Sequence, residues 1–105
     1  MLKDVNFLSK KYIETINDRA FFNCFSLKII DLSIGKNYLF TEIMSIIGEY
    51  AFCNCYTVES LHIPKNYIIS SYAFADLKSL KKASISNESI IKNYAFEGVD
   101  ESVFT

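Results

Sequence analysis

The sequence predicts a mainly β repeat solenoid, and two observations carry that prediction. The dipeptide Ala-Phe occurs four times, at Ala20-Phe21, Ala51-Phe52, Ala73-Phe74 and Ala95-Phe96, spaced 31, 22 and 22 residues apart. Around each copy, apolar residues return at the same offsets without a gap. Self-similarity at a fixed period of about 20 to 50 residues marks stacked supersecondary units, each too small to bury its own apolar face.

With the alanine of each copy as position zero, the columns can be read in order. Position −4 is Ile16, Ile47, Ile69 and Ile91. Position −1 is Arg19, Tyr50, Tyr72 and Tyr94, and position +1 is always Phe. Position +3 is Asn23, Asn54, Asp76 and Gly98, residues that tolerate the left-handed backbone of tight turns. Position +4 is Cys24, Cys55, Leu77 and Val99. Position +7 is Leu27, Val58 and Leu80, with Ser102 breaking the series. Positions +10 and +12 are Ile30, Leu61, Ala83 and Leu32, Ile63, Ile85.

Alternation at +10 and +12 is the period of a half-buried strand. It predicts equivalent strands over Lys28–Ser33, Glu59–Ile63 and Lys81–Ser86, stacked in parallel. The apolar pairs Thr15-Ile16, Ile46-Ile47, Ile68-Ile69 and Ile90-Ile91 predict a second, shorter strand on the opposite wall. The Ala-Phe segment between the two walls is then a turn or a single 3₁₀ turn with its Phe inward. Those rings should form a ladder at the spacing of sheet rungs, roughly 4.8 Å.

The same template reaches further toward the N-terminus. Leu2, Val5 and Phe7 fit +7, +10 and +12 of a preceding half-repeat. The expected organisation is one domain: a half-repeat over 2–12, repeats over about 13–33, 44–64, 66–86 and 88–105, and an insertion over about 34–42. Residues 101–105 fall where the next strand would begin, although Ser102 and Phe104 do not match it. Neither end shows a polar cap. An uncapped rung is a template for pairing with another chain, so the expectation is either a fragment of a longer array or self-association end to end.

The string I-I-G-E-Y-A-F-C-N-C-Y-T-V-E-S-L-H-I-P over 46–64 resembles the BspA-like leucine-rich repeats, and 68–86 resembles them nearly as well. The resemblance covers about residues 13 to 101 apart from the insertion. It implies a right-handed solenoid with a parallel concave sheet, the shorter strands and turns forming the convex wall. It also implies protein binding or adhesion, often at a cell surface.

Composition narrows the function classes. Half of the 105 residues are apolar, and the net charge is −1. That balance gives no electrostatic basis for binding nucleic acid or an anionic membrane. No apolar run reaches the 18 residues a spanning helix needs. The N-terminus, broken by Asp4 and Asn6, does not read as a secretory signal. The expectation is therefore a cytoplasmic chain if it is whole, and a cell-surface one if it is a piece of a longer protein. No glycine-rich phosphate loop is present, and no cofactor is implied.

The candidate site lies on the outward positions of the longer strands. Column +9 is Ile29, Ser60 and Lys82; column +11 is Asp31, His62 and Ser84. Short polar and mixed side chains over a uniform core suit a surface for a protein partner. Tyr38, Leu39 and Phe40 in the insertion either fold back on the core or are displayed, in which case Tyr38 and Phe40 are candidate aromatic anchors for the same partner. Asp31, His62 and Ser84 are also the residue set of a hydrolytic triad. An open strand face, however, offers no oxyanion donors and no exclusion of water. Cys53, Cys55 and His62 lack the usual Cys-x₂-Cys spacing of a zinc site, and no metal is expected. Cys24 and Cys55 share a column and read as small buried hydrophobes, with Cys53 part-exposed. The sequence thus predicts a non-catalytic interaction module, with a spacer in a longer surface protein as the alternative. The sequon Asn87-Glu88-Ser89 matters only in a secreted chain.

Overall fold

A computed structural model describes residues 4–6 (backbone), 15–32 and 45–104. The insertion over 34–42, with Tyr38 and Phe40, lies outside the described residues.

The odd strands β1 (Asp4–Asn6), β3 (Ile29–Asp31), β5 (Ser60–Ile63) and β7 (Lys82–Ile85) form one four-stranded parallel sheet in that order. The even strands β2 (Thr15–Ile16), β4 (Ser45–Ile47), β6 (Tyr67–Ile69) and β8 (Ile90–Ile91) form a second. Consecutive strands alternate between the sheets, so each strand pairs with the one two places on. That is the topology of a coil with two β walls, as the repeat demanded.

The register is the column alignment made physical. Val5 pairs with Ile30, Ile30 with Leu61, and Leu61 with Ala83, all at +10. On the other wall Ile16, Ile47, Ile69 and Ile91 pair in series at −4. The half-repeat's β1 takes its place in this ladder as expected.

Burial follows the same phase. Leu27, Ile30, Leu32, Ile47, Val58, Leu61, Ile63 and Ile69 are buried. Phe52 and Phe74 are fully buried, and Phe21 and Phe96 pack against the core at the two ends of their column. The rings stack at centroid distances of 4.9, 5.2 and 5.4 Å, each pair within 9° of parallel. Ring stacking adds to the burial of each ring.

The Ala-Phe arcs are turns whose backbones bond rung to rung. Phe21, Phe52 and Phe74 each donate an N–H to the alanine carbonyl of the next rung, at 2.7, 2.7 and 2.8 Å. Column +3 is left-handed as expected, with φ of 60° at Asn23, 64° at Asn54, 59° at Asp76 and 79° at Gly98. Column −1 is left-handed too, from 58° at Arg19 to 66° at Tyr94. That was not expected, because Arg and Tyr carry no left-handed signature. The strain, about 1 kcal/mol or more per residue, is imposed by the arc's geometry. Stacking of the tyrosine rings opposes it.

Three further expectations are corrected. Cys53 is buried, only 5% exposed, because the arcs pack rung on rung and enclose column +2 in the interior of the stack. The second-wall strands β4 and β6 begin one residue earlier than expected, at Ser45 and Tyr67, which pair with each other and are both buried. Residues Glu101–Phe104 form a 3₁₀ turn rather than the start of a strand. The Asp100 carboxylate accepts the Ser102 N–H at 3.0 Å and starts that turn, which buries Val103 and sets Phe104 edge-on to Phe96 at 5.0 Å. This hydrogen bond holds the Asp100 carboxyl below its ordinary range.

Candidate interaction surface

Strand alternation sends +10 and +12 inward and therefore +9 and +11 outward. The register places Ile29, Ser60 and Lys82 on one row of the first sheet, and Asp31, His62 and Ser84 on the next. Ile29, His62, Lys82 and Ser84 are exposed; Asp31 and Ser60 are half-buried. Ile29 is 46% exposed, unusual for an isoleucine beside a well-formed core. At the strand entrances, column +8 carries an exposed ion pair, Lys81 Nζ to Glu59 Oε1 at 3.8 Å. The six candidate residues are thus brought together as two adjacent rows on one open face.

Asp31, His62 and Ser84 occupy matching positions on three neighbouring strands. His62 and Ser84 stand on the water-exposed side of the sheet. An acyl-transfer site needs fixed donors in a dry pocket.

The thiols lie elsewhere. Cys24, Cys53 and Cys55 are free cysteines. Cys55 Sγ donates to the Phe21 carbonyl at 3.0 Å, and burial pushes its thiol up to about 12. Burial also raises Cys24 and Cys53, the latter with help from the Asp76 charge. Raised thiols are poor nucleophiles. Among the described residues no three His, Cys, Asp or Glu side chains gather as a metal site, so Cys53 and Cys55 do not converge with His62.

The structure also shows surface aromatics that sequence reasoning did not single out. Tyr50, Tyr72 and Tyr94 stack at 5.1 and 5.6 Å, with the Arg19 guanidinium 5.1 Å from the Tyr50 ring centre. Partial desolvation in this column raises the Tyr72 hydroxyl, helped by Tyr50, Glu97 and Tyr94. Phe25 and Tyr56, both exposed, stack at 5.5 Å. Their signal was present as repeated aromatics at −1 and paired aromatics at +5, but nothing in the spacing says whether such a column faces in or out.

No helix among the described residues is long and apolar enough to cross a membrane. No curated protein and no solved structure matches the chain. A family model described as BspA type leucine rich repeat region (6 copies) matches residues 1–101. With two ladders of parallel strands in the register of that repeat, the chain belongs to the BspA-type leucine-rich repeat family.

Proposed function

We propose that this chain is a non-catalytic protein-interaction module that binds its partner through columns +9 and +11 of the first sheet. One observation carries the proposal. Ile29, Asp31, Ser60, His62, Lys82 and Ser84 sit in register on one open face, while the columns between them hold the core. Such a face can change its side chains without touching stability, which is what a recognition surface requires. Protein binding and adhesion are typical of the family. A lone exposed isoleucine among an acid, an imidazole and an amine suits a partner with a small apolar knob ringed by polar groups. The insertion's Tyr38 and Phe40 extend the proposal as aromatic anchors.

The test is capture of protein partners by the immobilised chain and by its Asp31→Ala/His62→Ala/Lys82→Ala variant. Loss of specific partners by the variant, with an unchanged thermal melt, supports the proposal. Equal recovery of every partner by both removes this face from consideration.

A further inference from the structure

The outward row of the second wall is apolar. Strand alternation turns column −4 inward and column −5 outward, so that β4 runs buried, exposed, buried. Column −5 is Thr15, Ile46, Ile68 and Ile90, paired in register across the four strands. Ile46 and Ile90 are 41% and 49% exposed, and Ile68 between them is half-buried. The outward rows of the first wall mix a single isoleucine, Ile29, with polar side chains. Three isoleucines in series are a different kind of surface, and a contiguous exposed apolar patch marks a docking site.

The charges beside the row identify what covers it. Column −3 also lies outward and holds Gly48, Ser70 and Lys92. Gly48 has no side chain, and the place its Cβ would take is filled by the Asp18 carboxylate, which accepts the Glu49 N–H at 2.7 Å. Asp18, Glu49 and Lys92 are all exposed. The border of the row is therefore acidic beside Ile46, neutral at Ser70 beside Ile68 and basic at Lys92 beside Ile90. Reversed about the third rung, this pattern is its own complement.

We propose that a second copy of the chain covers this wall, the two packing back to back about a two-fold axis that runs along β6. Ile68 meets the partner's Ile68, Ile46 meets the partner's Ile90, and Lys92 reaches the partner's Asp18 and Glu49, twice over by symmetry. Sheets packed face to face stand about 10 Å apart, within the reach of an extended lysine. The contact is isologous, so it closes at a dimer. It is small and its charges are exposed, which makes the dimer weak and salt-sensitive. The face runs along the stack rather than across either of its outer arcs. The first sheet occupies the opposite wall and stays free in both copies.

Sedimentation equilibrium of the 105-residue chain at low salt should fit monomer and dimer with no larger species. Ile68→Lys sets two ammonium groups against each other at the centre of the contact. It should be monomeric with the parent's thermal melt, because position 68 points away from the core. Lys92→Glu places like charges opposite one another at both borders and should weaken the dimer about tenfold. Adding Glu49→Lys to it should restore dimerisation, since opposite charges then face each other again. A parent that is monomeric into the high micromolar range overturns the proposal. So do assemblies larger than a dimer, an Ile68→Lys or Lys92→Glu variant that dimerises like the parent, or a double variant no tighter than Lys92→Glu alone. Should Ile68→Lys lower the melt, the charge exchange decides by itself, because Glu49 and Lys92 are exposed and outside the core. Partner capture through the first sheet uses none of these residues, so the two proposals fail separately.

Discussion

Replacing Phe52 by alanine probes the stack where it is most complete. The ring is fully buried and lies between two others, 4.9 Å from Phe21 and 5.2 Å from Phe74. Removing a buried Phe costs about 3–5 kcal/mol in lost transfer energy and residual cavity. The upper part of that range applies here, because each lost stacking contact carries about 0.5–1.5 kcal/mol beyond burial. The backbone on both sides is fixed by rung-to-rung hydrogen bonds and cannot collapse into the hole. Against a typical total of about 5–15 kcal/mol, such a loss is a large fraction of the stability. For a domain of this size it lowers the melting temperature by upwards of about 10 °C. Phe96→Ala is the internal control. Phe96 is half-buried, with one stacked neighbour and one edge contact, and should cost roughly half as much. Urea unfolding followed by circular dichroism measures both. A Phe52→Ala variant within about 1 kcal/mol of the parent, or one no worse than Phe96→Ala, would refute the idea that interior rungs share a continuous ring column.

Further outcomes follow from the same geometry. Gly48→Ala should destabilise by about 1–3 kcal/mol, since the new Cβ would meet the Asp18 carboxylate and, at 2.6 Å, the Asp18 backbone nitrogen; a melt at the parent's temperature contradicts this. Cys55 predicts a pH dependence. Its folded thiol is raised by burial from 9.0 to about 12, so the stability it contributes is intact below about pH 9 and is lost as pH rises toward 12. Cys55→Val should flatten that alkaline loss relative to the parent, and parallel curves for the two proteins would count against it.

Much of the architecture was legible because column periodicity fixes phase. Ile30, Leu61 and Ala83 were expected to share a row, as were Ile16, Ile47, Ile69 and Ile91, and the strand register aligns them so. Even β1 was found, from Leu2, Val5 and Phe7 in the phase of +7, +10 and +12, and Val5 pairs with Ile30. The rest escaped for physical reasons. Cys53 shares its column with Phe22, Ala75 and Glu97, and a mixed column does not reveal that the arcs enclose it. Tyr67, fully buried with its hydroxyl 3.5 Å from the Leu32 carbonyl, pairs with Ser45, so no common residue type marks position −6. The left-handed turn at Tyr50, Tyr72 and Tyr94 is dictated by closing the arc, against local preference. The 3₁₀ turn at Glu101–Phe104 replaces an expected strand because Asp100 captures the Ser102 N–H locally. At the candidate site the six outward residues were identified from alternation alone; the polar character of the face was legible, the Phe25–Tyr56 pair beside the strands was not.

Strand β5 tests the central claim most directly, since the whole account divides each long strand into core and display positions. Lysine is placed in turn at Ser60, Leu61, His62 and Ile63, and the unfolding free energy of each variant is measured. The account predicts that Ser60→Lys and His62→Lys stay within about 0.5 kcal/mol of the parent. Leu61→Lys and Ile63→Lys, which bury an unpaired ammonium where exposure is now 1% at each site, should prevent folding or cost several kcal/mol. Equal losses at all four positions, or a greater loss at His62 than at Leu61, would contradict the division on which the proposed interaction surface rests.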